Sequence, residues 1–410
     1  MTNFKYHNSI NQMKKNWKNL LTVAIMASAA MIATSCSSDD DDPVNPAPTP
    51  DPTPVVPEDN TEAELKVVNK NFVEKTVQLT YSGLADATID MISALEAFGE
   101  SNAQSDLDKA GEAWKDARQY WEWSEAFLFG AASGYGIDPH IDTWPFDAAS
   151  FNTYMSKFNP ASDEGDAAIL EEAIATGQNL TGFHAVEYLI FRNGEVRKAE
   201  EITDDELWFC ITASNDLYLS ASKLVAAWGG KLSDEQEEML EEAEFEADNF
   251  GDEFTNAGEK GSRWPTISNA AVNIIEGCQD IIDEVAHSKI GAPFTGEDVS
   301  YIESPHAWNS IVDFYDNVMS CKNALYGLEP SVANYDNKTP AAGSLMAFCK
   351  NKYATEAEAA MSALENALDK VNAMKKPFVN NYTDASAGAA IEALEALDEA
   401  LGKLKQKLNN

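Results

Sequence analysis

His184 and Glu187 are the two residues whose types and spacing point most directly to chemistry, in the stretch TGFHAVEYL at residues 181–189. If this segment is helical, side chains three apart lie on one face and can share a cation or a proton. An imidazole with a carboxylate suits zinc, iron or manganese, whereas calcium and magnesium prefer oxygen ligands. Gly182 would let a neighbouring helix or ligand approach the backbone closely. The spacing predicts either a metal site or a buried hydrogen-bonded pair.

Other common catalytic motifs are absent from the sequence. It contains no GxxxxGK[ST] phosphate loop, no GxSxG nucleophile motif and no HExxH zinc helix. His306 is a further candidate ligand, whereas His140 and His287 are expected to have no role in the site. Because apolar and aromatic residues surround His184, any charged pair there must be partnered.

The charge of the chain excludes several classes of partner. Its 29 basic and 68 acidic residues give a formal net charge of −39. Nucleic-acid binding needs basic patches that displace phosphate counterions, so no nucleic-acid partner is expected. A strongly negative surface also raises the local concentration of cations, although it does not select among them.

The N-terminus has the features of a lipoprotein signal peptide. Three lysines at residues 14–18 precede an uncharged run at residues 20–33. That run is shorter than the about 20 residues of a transmembrane helix but suits the apolar part of a signal peptide. The sequence Ala-Thr-Ser before Cys36 resembles the lipobox of bacterial lipoproteins. We therefore expect residues 1–35 to be removed and Cys36 to be lipidated.

Residues 36–60 are predicted to be an acidic and proline-rich linker. Four aspartates at residues 39–42 precede seven prolines within residues 43–57. Such a proline-rich segment favours extended polyproline II and builds no core. Acidic residues after a lipidated cysteine resemble a surface-export signal of some Gram-negative lipoproteins, and a solvated spacer is the alternative. We expect a cell-envelope protein that is lipid-anchored to the outer membrane, on its surface or periplasmic face.

Residues 61–410 are predicted to be all-α, because apolar residues recur at intervals of three and four rather than two. About 350 residues exceed one comfortable core, so two packed helical bundles are expected, dividing near residues 195–230. The final helix is predicted at residues 385–408, and the acidic segment 233–250 is predicted to be one solvated helix. Glycine and proline predict a long ordered loop near residues 131–161 that includes Trp144.

The cysteines of the body do not decide the redox state of the protein. They are far apart and include no CxxC pair, so a thiolate zinc site is not expected. The spacing does not choose among the three pairings, and buried thiols are an equal alternative. The four residues are Cys210, Cys278, Cys321 and Cys349.

At the level of these motifs, the sequence resembles the imelysin-like proteins, a family classed as M75 peptidases. The stretch GFHAVEYL matches the GxHxxE signature of that family. Three other stretches resemble the family in the same order, at residues 114–130, 136–147 and 289–313. One departure is the sequence Pro-His-Ala-Trp at residues 305–308, where the family has a stretch rich in serine and phenylalanine.

The resemblance implies a two-bundle helical fold with a site between its halves. It further implies export to the envelope, a link to iron uptake in several relatives and peptidase activity in some. By position, Glu125 would complete a cation site with His184 and Glu187, Arg118 would balance charge, and Ser304 would donate a hydrogen bond. The remaining cleft candidates are Gly182, Asp142, Trp144 and Glu303.

Three functions from different classes follow from these residues and the resemblance. The first is a lipid-anchored, non-enzymatic protein that binds iron or zinc, as a divalent or ferric ion, and serves iron uptake with partner proteins of the envelope. The second is an M75-type metallopeptidase, which needs three protein ligands and a carboxylate base. The third is a non-catalytic module whose cleft binds a small molecule or a partner protein.

Overall fold

The computed structural model describes residues 60–157 and 180–409. The predicted signal peptide, the lipidation site at Cys36 and nearly all of the predicted linker lie outside these residues, and so does the end of the predicted loop. Within the described ranges, no helix is both long and apolar enough to cross a bilayer.

The described part of the chain begins with three long helical segments that contribute to both halves of the molecule. Helix α1 (Thr61–Asn71) continues through a π-helical segment (Phe72–Val77) into α2 (Gln78–Ser101), and α3 (Gln104–Glu122) packs against α2. Asn102 ends α2 in the left-handed conformation, which asparagine tolerates better than most residues. The turn that follows returns the chain so that α3 carries its buried face back along α2.

The segment that was predicted to be a long ordered loop contains three short helices. They are α4 (Ala131–Gly134), α5 (Asp138–Ile141) and α6 (Ala148–Met155). The Asp147 side chain caps α6 by accepting hydrogen bonds from two backbone N–H groups. Helices this short are set by such local caps and by packing, so the hydrophobic period did not predict them.

Helix α7 (Gly182–Ile190) carries the GxHxxE stretch and leads into a small antiparallel hairpin. Strands β1 (Phe191–Arg192) and β2 (Glu195–Val196) form the hairpin and were not predicted. Helix α8 (Asp204–Ala227) begins at a capping box. The Thr203 side chain accepts a hydrogen bond from the backbone N–H of Glu206, and the Glu206 side chain accepts one from the backbone N–H of Thr203.

The acidic segment 233–250 is not one helix, contrary to the prediction. Helix α9 (Asp234–Glu242) ends early, and α10 begins only at Phe250 (Phe250–Thr255). Glu244 adopts a left-handed conformation with φ 48°. Negative side chains near a helix C-terminus oppose the helix dipole, which is a physical reason for the early end.

The C-terminal half consists of seven further helices. The central ones are α11 (Ile267–Asp283), which continues into a π-helical segment (Glu284–Lys289), and α13 (Ser310–Tyr326). The last, α17 (Ala385–Leu408), coincides with the predicted helix. The others are α12 (Gly291–Thr295), α14 (Leu345–Lys352), α15 (Ala354–Asn372) and α16 (Phe378–Asn381). Short 3₁₀ turns occur at Glu125–Phe127, Ala199–Glu201, Val299–Tyr301 and Val332–Asn334.

The long helices pack in two groups that share one hydrophobic core. Helices α2, α3, α7 and α8 form the first group, and α11, α13, α15 and α17 form the second. Helix α3 contacts α13, and the 3₁₀ turn Glu125–Phe127 contacts both α11 and α13. The all-α fold class is therefore confirmed, while the predicted domain division near residues 195–230 stays a prediction.

The four cysteines of the described residues are free and buried. Cys278 on α11 and Cys321 on α13 face each other, and each thiol lies near the backbone carbonyl of the other residue. Burial raises the pKa of the Cys278 thiol well above its usual value. These thiols pack as small apolar side chains in the second helix group.

Candidate functional site

Arg118 lies at the centre of a buried charge cluster where the two helix groups meet. Its side chain is fully buried and forms ion pairs with Glu122, Asp142 and Glu303, the last at 2.9 Å. Its Nε atom lies 3.9 Å from Asp313 Oδ1. Burial alone would lower the pKa of Arg118, but the surrounding carboxylates raise it well above its usual value. The guanidinium therefore stays charged and neutralises groups from both halves.

Gly182 allows α7 to begin directly beside the end of α5. Its φ is 73°, and a Cβ atom there would clash with the carbonyl group of Ile141, 2.6 Å from the carbonyl carbon. Glycine avoids both the strained conformation and the clash. As a result, His184 reaches Asp142, which follows α5 directly, and its Nε2 lies 3.3 Å from Asp142 Oδ1.

His184 and Glu187 contact each other across one turn of α7. Nδ1 of the imidazole lies 3.2 Å from Glu187 Oε2. The other Glu187 oxygen accepts hydrogen bonds from the backbone N–H groups of His306 and Ala307, both at 2.8 Å. Since both of its oxygens are engaged, Glu187 orients the imidazole and ties α7 to the loop before α13.

The charges on this pair follow from their surroundings. Burial disfavours the imidazolium, but the contacts with Asp142 and Glu187 outweigh it and raise the pKa of His184 to about 9. Burial likewise acts against the Glu187 carboxylate, yet its bonds to His184 and the backbone lower its pKa. Burial opposes ionisation of Asp142 as well, but the Arg118 guanidinium holds the pKa of that carboxyl well below its usual range.

Lys289 extends the cluster on the side of the second helix group. Its Nζ lies 3.0 Å from Glu303 Oε1 and donates to Asn317 Oδ1 at 3.4 Å. The Asn317 amide in turn donates to Glu122. Burial raises the pKa of Glu122 well above its usual value and raises that of Asp313 to about 7. Burial therefore disfavours the ionised form of both carboxyl groups.

The cluster largely compensates its charges without any added ion. Three buried cationic groups, one of them the protonated imidazole, stand against three of the carboxylates that contact them, and Glu122 and Asp313 also face Arg118. Buried charges need such compensation, because an unpaired charge in a low-dielectric interior is costly. The six groups are Arg118, Lys289 and His184, with Asp142, Glu187 and Glu303.

Asp142, His184 and Glu303 form a set of donor atoms suited to a metal ion. Each offers one ligand atom, and these atoms lie within 4.8 Å of one another. Glu303 Oε2 is buried without a hydrogen-bond partner among the described residues, and His184 Nε2 has only its ion contact with Asp142. One imidazole and two carboxylates suit iron, zinc or manganese. Glu122, Glu303 and Asp313 form a second, all-oxygen group within the same distance.

Glu125 does not join His184 in this set. It lines a separate cavity of about 210 Å³ with Asp138, Trp144 and Lys289. Burial raises the pKa of Glu125 well above its usual value and raises that of Asp138 to about 7. The structure thus divides the residues that the resemblance grouped into two places.

Trp144 and Ser304 lie at the edges of the cluster. The Trp144 indole donates to the carbonyl of Tyr301 at 3.2 Å, and the Lys289 ammonium lies 5.4 Å from the centre of its ring. Ser304 is buried and adopts a left-handed φ of 43°, which a serine seldom takes. Trp144 therefore contributes to the cavity wall, and Ser304 to the bend that brings Glu303 inward.

The other histidines of the described residues lie outside the donor set. The His306 ring packs on Tyr188, with ring centroids 4.9 Å apart, and burial lowers its pKa. His140 pairs with Asp216 at 2.7 Å, and the exposed His287 contacts Asp283. His306 supports the site through its backbone N–H bond to Glu187.

Three charged members of the cluster were not proposed as site residues from the sequence: Glu122, Lys289 and Asp313. Glu122 lies four residues after Arg118, so one helix face carries both, and that spacing was visible in the sequence. Lys289 and Asp313 stand within a stretch that resembles the imelysin-like proteins. Lys289 pairs with Glu303 within the second half, whereas the contact of Asp313 with Arg118 joins residues nearly 200 positions apart.

Comparison with known proteins identifies the family. Residues 77–404 match the model of the family described as Imelysin, Peptidase M75. The chain belongs to the imelysin family. This confirms the resemblance that the GxHxxE stretch and the three other blocks indicated.

The curated relative most relevant to function is the iron-regulated protein A of Synechococcus elongatus. This imelysin-family chain is 28% identical to it over 258 residues, which are 63% of this chain and 63% of that protein. The match therefore spans somewhat less than two thirds of the relative's own length.

Two solved structures share the fold. The crystal structure of an iron-regulated protein A precursor from Parabacteroides distasonis has a TM-score of 0.72 and 27% identity, covering 85% of this chain and 95% of that one. An imelysin-like protein from Psychrobacter arcticum has a TM-score of 0.56 and 12% identity, covering 83% and 93%. The second similarity shows the fold alone.

Proposed function

We propose that this imelysin-family protein binds a metal ion, with iron favoured, at Asp142, His184 and Glu303, and serves iron acquisition at the cell envelope. The observation that carries the proposal is the convergence of three buried donor atoms within 4.8 Å. The buried Glu303 oxygen without a hydrogen-bond partner supports it, since leaving such a group unsatisfied costs about 1–3 kcal/mol.

The residues around the donors have separate tasks in this proposal. Glu187 holds the imidazole through Nδ1 and leaves Nε2 for the ion, as outer carboxylates do for metal-bound histidines. Binding displaces the His184 proton, because only the neutral imidazole is a ligand. Before a metal ion binds, Arg118 and Lys289 hold the carboxylates in place.

Iron is favoured over zinc because of the relatives and the donor set. Two similar proteins carry the name iron-regulated protein A. Two carboxylates and one imidazole also form a harder donor set than the thiolate sites that zinc often occupies. The formal net charge of −39 would concentrate cations near the surface.

The cluster is less suited to peptide hydrolysis. A metallopeptidase needs a coordination position that a peptide bond can reach. His184 is 2% exposed, and the Arg118 and Glu187 side chains are as deeply buried. In this conformation a polypeptide cannot approach the donor atoms, so we favour metal holding over an M75-type hydrolase.

Metal content tests the proposed function. Purified protein carrying Cys36→Ala is offered Fe²⁺, Fe³⁺ or Zn²⁺ and analysed by elemental mass spectrometry. We expect near-stoichiometric iron in the parent protein and loss of that metal in His184→Ala and Glu303→Gln. The control is His287→Ala, because His287 is half exposed and lies outside the cluster. No bound metal under any loading would favour the alternative of a non-catalytic module that binds a small molecule or a partner protein.

The envelope location is part of the proposal, supported by the lipobox-like sequence before Cys36. We propose a lipid anchor in the outer membrane, with iron-uptake proteins of the envelope as partners. We expect the expressed full-length chain to sediment with membranes and Cys36→Ala to appear in the soluble fraction. A Cys36→Ala protein that still sediments with membranes would contradict the anchor.

A further inference from the structure

A cavity lies beside the buried cluster and shares Asp142 and Lys289 with it. It has a volume of about 210 Å³ and is partly open to solvent. The 3₁₀ turn Glu125–Phe127, helix α5 and the π-helical segment Glu284–Lys289 each contribute to its wall. We call it the outer cavity; its charged lining residues are Glu125, Asp138, Asp142, Glu284 and Lys289.

Glu125 is a buried acidic residue of the outer cavity that has no direct partner within the described part of the chain. It is only 7% exposed, yet its carboxylate has no hydrogen bond and no ion pair within 4.0 Å among the described residues. Its compensation in the protein is the more distant attraction of Lys289. A buried carboxylate that lines a cavity without a direct partner points to a cation or a water-bound cation inside the cavity.

The charge of the lining favours a cation. Four carboxylates face one ammonium group, and that ammonium is shared: Lys289 Nζ lies 3.0 Å from Glu303, outside the cavity, and 3.7 Å from Glu284. The charge of Lys289 is thus largely taken by Glu303. The carboxylates of Glu125 and Asp138 remain without a cation of their own.

The size of the cavity allows the cation to keep its water. With a volume of about 210 Å³, the cavity has room for an ion together with several water molecules. Among the described residues, Glu125, Asp138 and Glu284 do not form a group of ligand atoms within 4.8 Å of one another. Carboxylates at that spacing can hold the waters of a hydrated ion rather than strip them.

We infer that the outer cavity is a second cation site, which holds a hydrated divalent cation through the carboxylates of Glu125, Asp138 and Glu284. Asp142 lines the outer cavity and also belongs to the inner donor set, so the two sites share this residue. Transfer of an ion from the outer site to the inner one rests on the proposed function, whereas the outer site itself does not.

Manganese binding tests the outer site on the full chain carrying Cys36→Ala. Free Mn²⁺ is measured by electron paramagnetic resonance during titration, because bound ion loses the sharp signal of the hydrated ion. We expect two sites in the parent protein. Glu125→Gln, which keeps the shape of the side chain, should weaken one of them at least about 10-fold, a typical effect of losing an outer carboxylate.

Two further variants separate this inference from the proposed function. Glu303→Gln should remove the inner site and leave the outer one, and Asp138→Asn, at a partly exposed position, should weaken the outer site without disturbing the core. The matched control is Glu395→Gln, because Glu395 is 53% exposed and does not line the outer cavity. Circular dichroism confirms that each variant keeps its helices.

The outcomes are distinct. Glu125→Gln and Asp138→Asn that both keep two sites of unchanged affinity would overturn the outer site, whatever Glu303→Gln does. Loss of one site in these variants, with no effect of Glu303→Gln or His184→Ala, would support the outer site and contradict the inner centre. A parent protein that binds no Mn²⁺ would overturn the outer site as well.

Discussion

The inner cluster and the outer cavity carry similar acidic residues, but the negative charges of these residues are compensated differently. In the cluster, Arg118 and Lys289 contact the carboxylates directly, and nearly every charged side chain is sealed from water. In the cavity, Glu125 and Asp138 have no such contact and face a space partly open to solvent. The charges of the cluster are compensated within the protein, whereas the cavity carries excess negative charge that a cation can compensate.

This difference explains why the two regions should respond differently to mutation. Removing one partner of a balanced buried pair leaves an uncompensated charge and costs stability. Neutralising a carboxylate that lacks a partner removes a repulsive, poorly solvated charge. Such a substitution should therefore weaken cation binding without lowering the stability of the protein. We therefore expect stability defects in the cluster and binding defects in the cavity.

The largest expected effect is the loss of the central cation. Arg118→Met should lower the free energy of unfolding by about 3–5 kcal/mol, because it leaves the carboxylates around it without compensation. Urea unfolding followed by circular dichroism measures this. Arg263→Met is the control, since Arg263 is 41% exposed and its ion pairs should be worth about 0–1 kcal/mol. Equal effects of the two substitutions would contradict the central role of Arg118.

A smaller effect is expected from the glycine that positions α7. Gly182→Ala should lower the free energy of unfolding by roughly 3 kcal/mol, since it adds the left-handed strain and a clash with Ile141. Gly136→Ala is a matched control: Gly136 has φ 63° but no atom within 4 Å of a new Cβ, so only strain of about 1–2 kcal/mol applies. If both substitutions cost the same, the close approach of α7 to α5 does not matter.

The smallest expected effect is a difference in pH dependence between the two regions. The pKa of His184 is raised to about 9, so its contribution to stability is full below its unfolded pKa and is lost as the pH rises through about 9. Burial raises the pKa of Asp138 to about 7, so its contribution is present at acidic pH and is lost as the pH rises toward about 7.

Urea unfolding across a pH series separates these two losses. Asp138→Asn should flatten the decline in stability between about pH 4 and 7 and leave the alkaline decline in place. His184→Ala should remove the alkaline decline instead. Wild-type and Asp138→Asn curves of the same shape would show that Asp138 titrates normally in the folded protein.

Much of the helical framework could be predicted from local pattern alone. The last helix, α17, coincides with the predicted residues 385–408, because its apolar stripe persists over many turns. The same reasoning failed where elements are short. It described α4, α5 and α6 as a loop, omitted the hairpin of β1 and β2, and extended α9 to residue 250.

The candidate site shows the same limit. The spacing of His184 and Glu187 and the resemblance to the imelysin family were sufficient to name the motif and its helix. The sequence did not indicate that Glu187 would be held by the backbone of the loop before α13, or that Glu303 would replace Glu125 beside His184. Hydrogen bonds between distant segments leave no periodic signal.

The sequence by itself determined the helical class, the family and the helix that carries His184, because period, composition and motif are local properties of the chain. Only the tertiary structure decided which charges meet. Arg118 and Glu303 are 185 positions apart, and their contact exists because α3 and α13 pack against each other. Charges buried in that interface must be compensated by whichever groups the fold brings there, and this requirement separated one set of acidic residues into a balanced cluster and an unbalanced cavity.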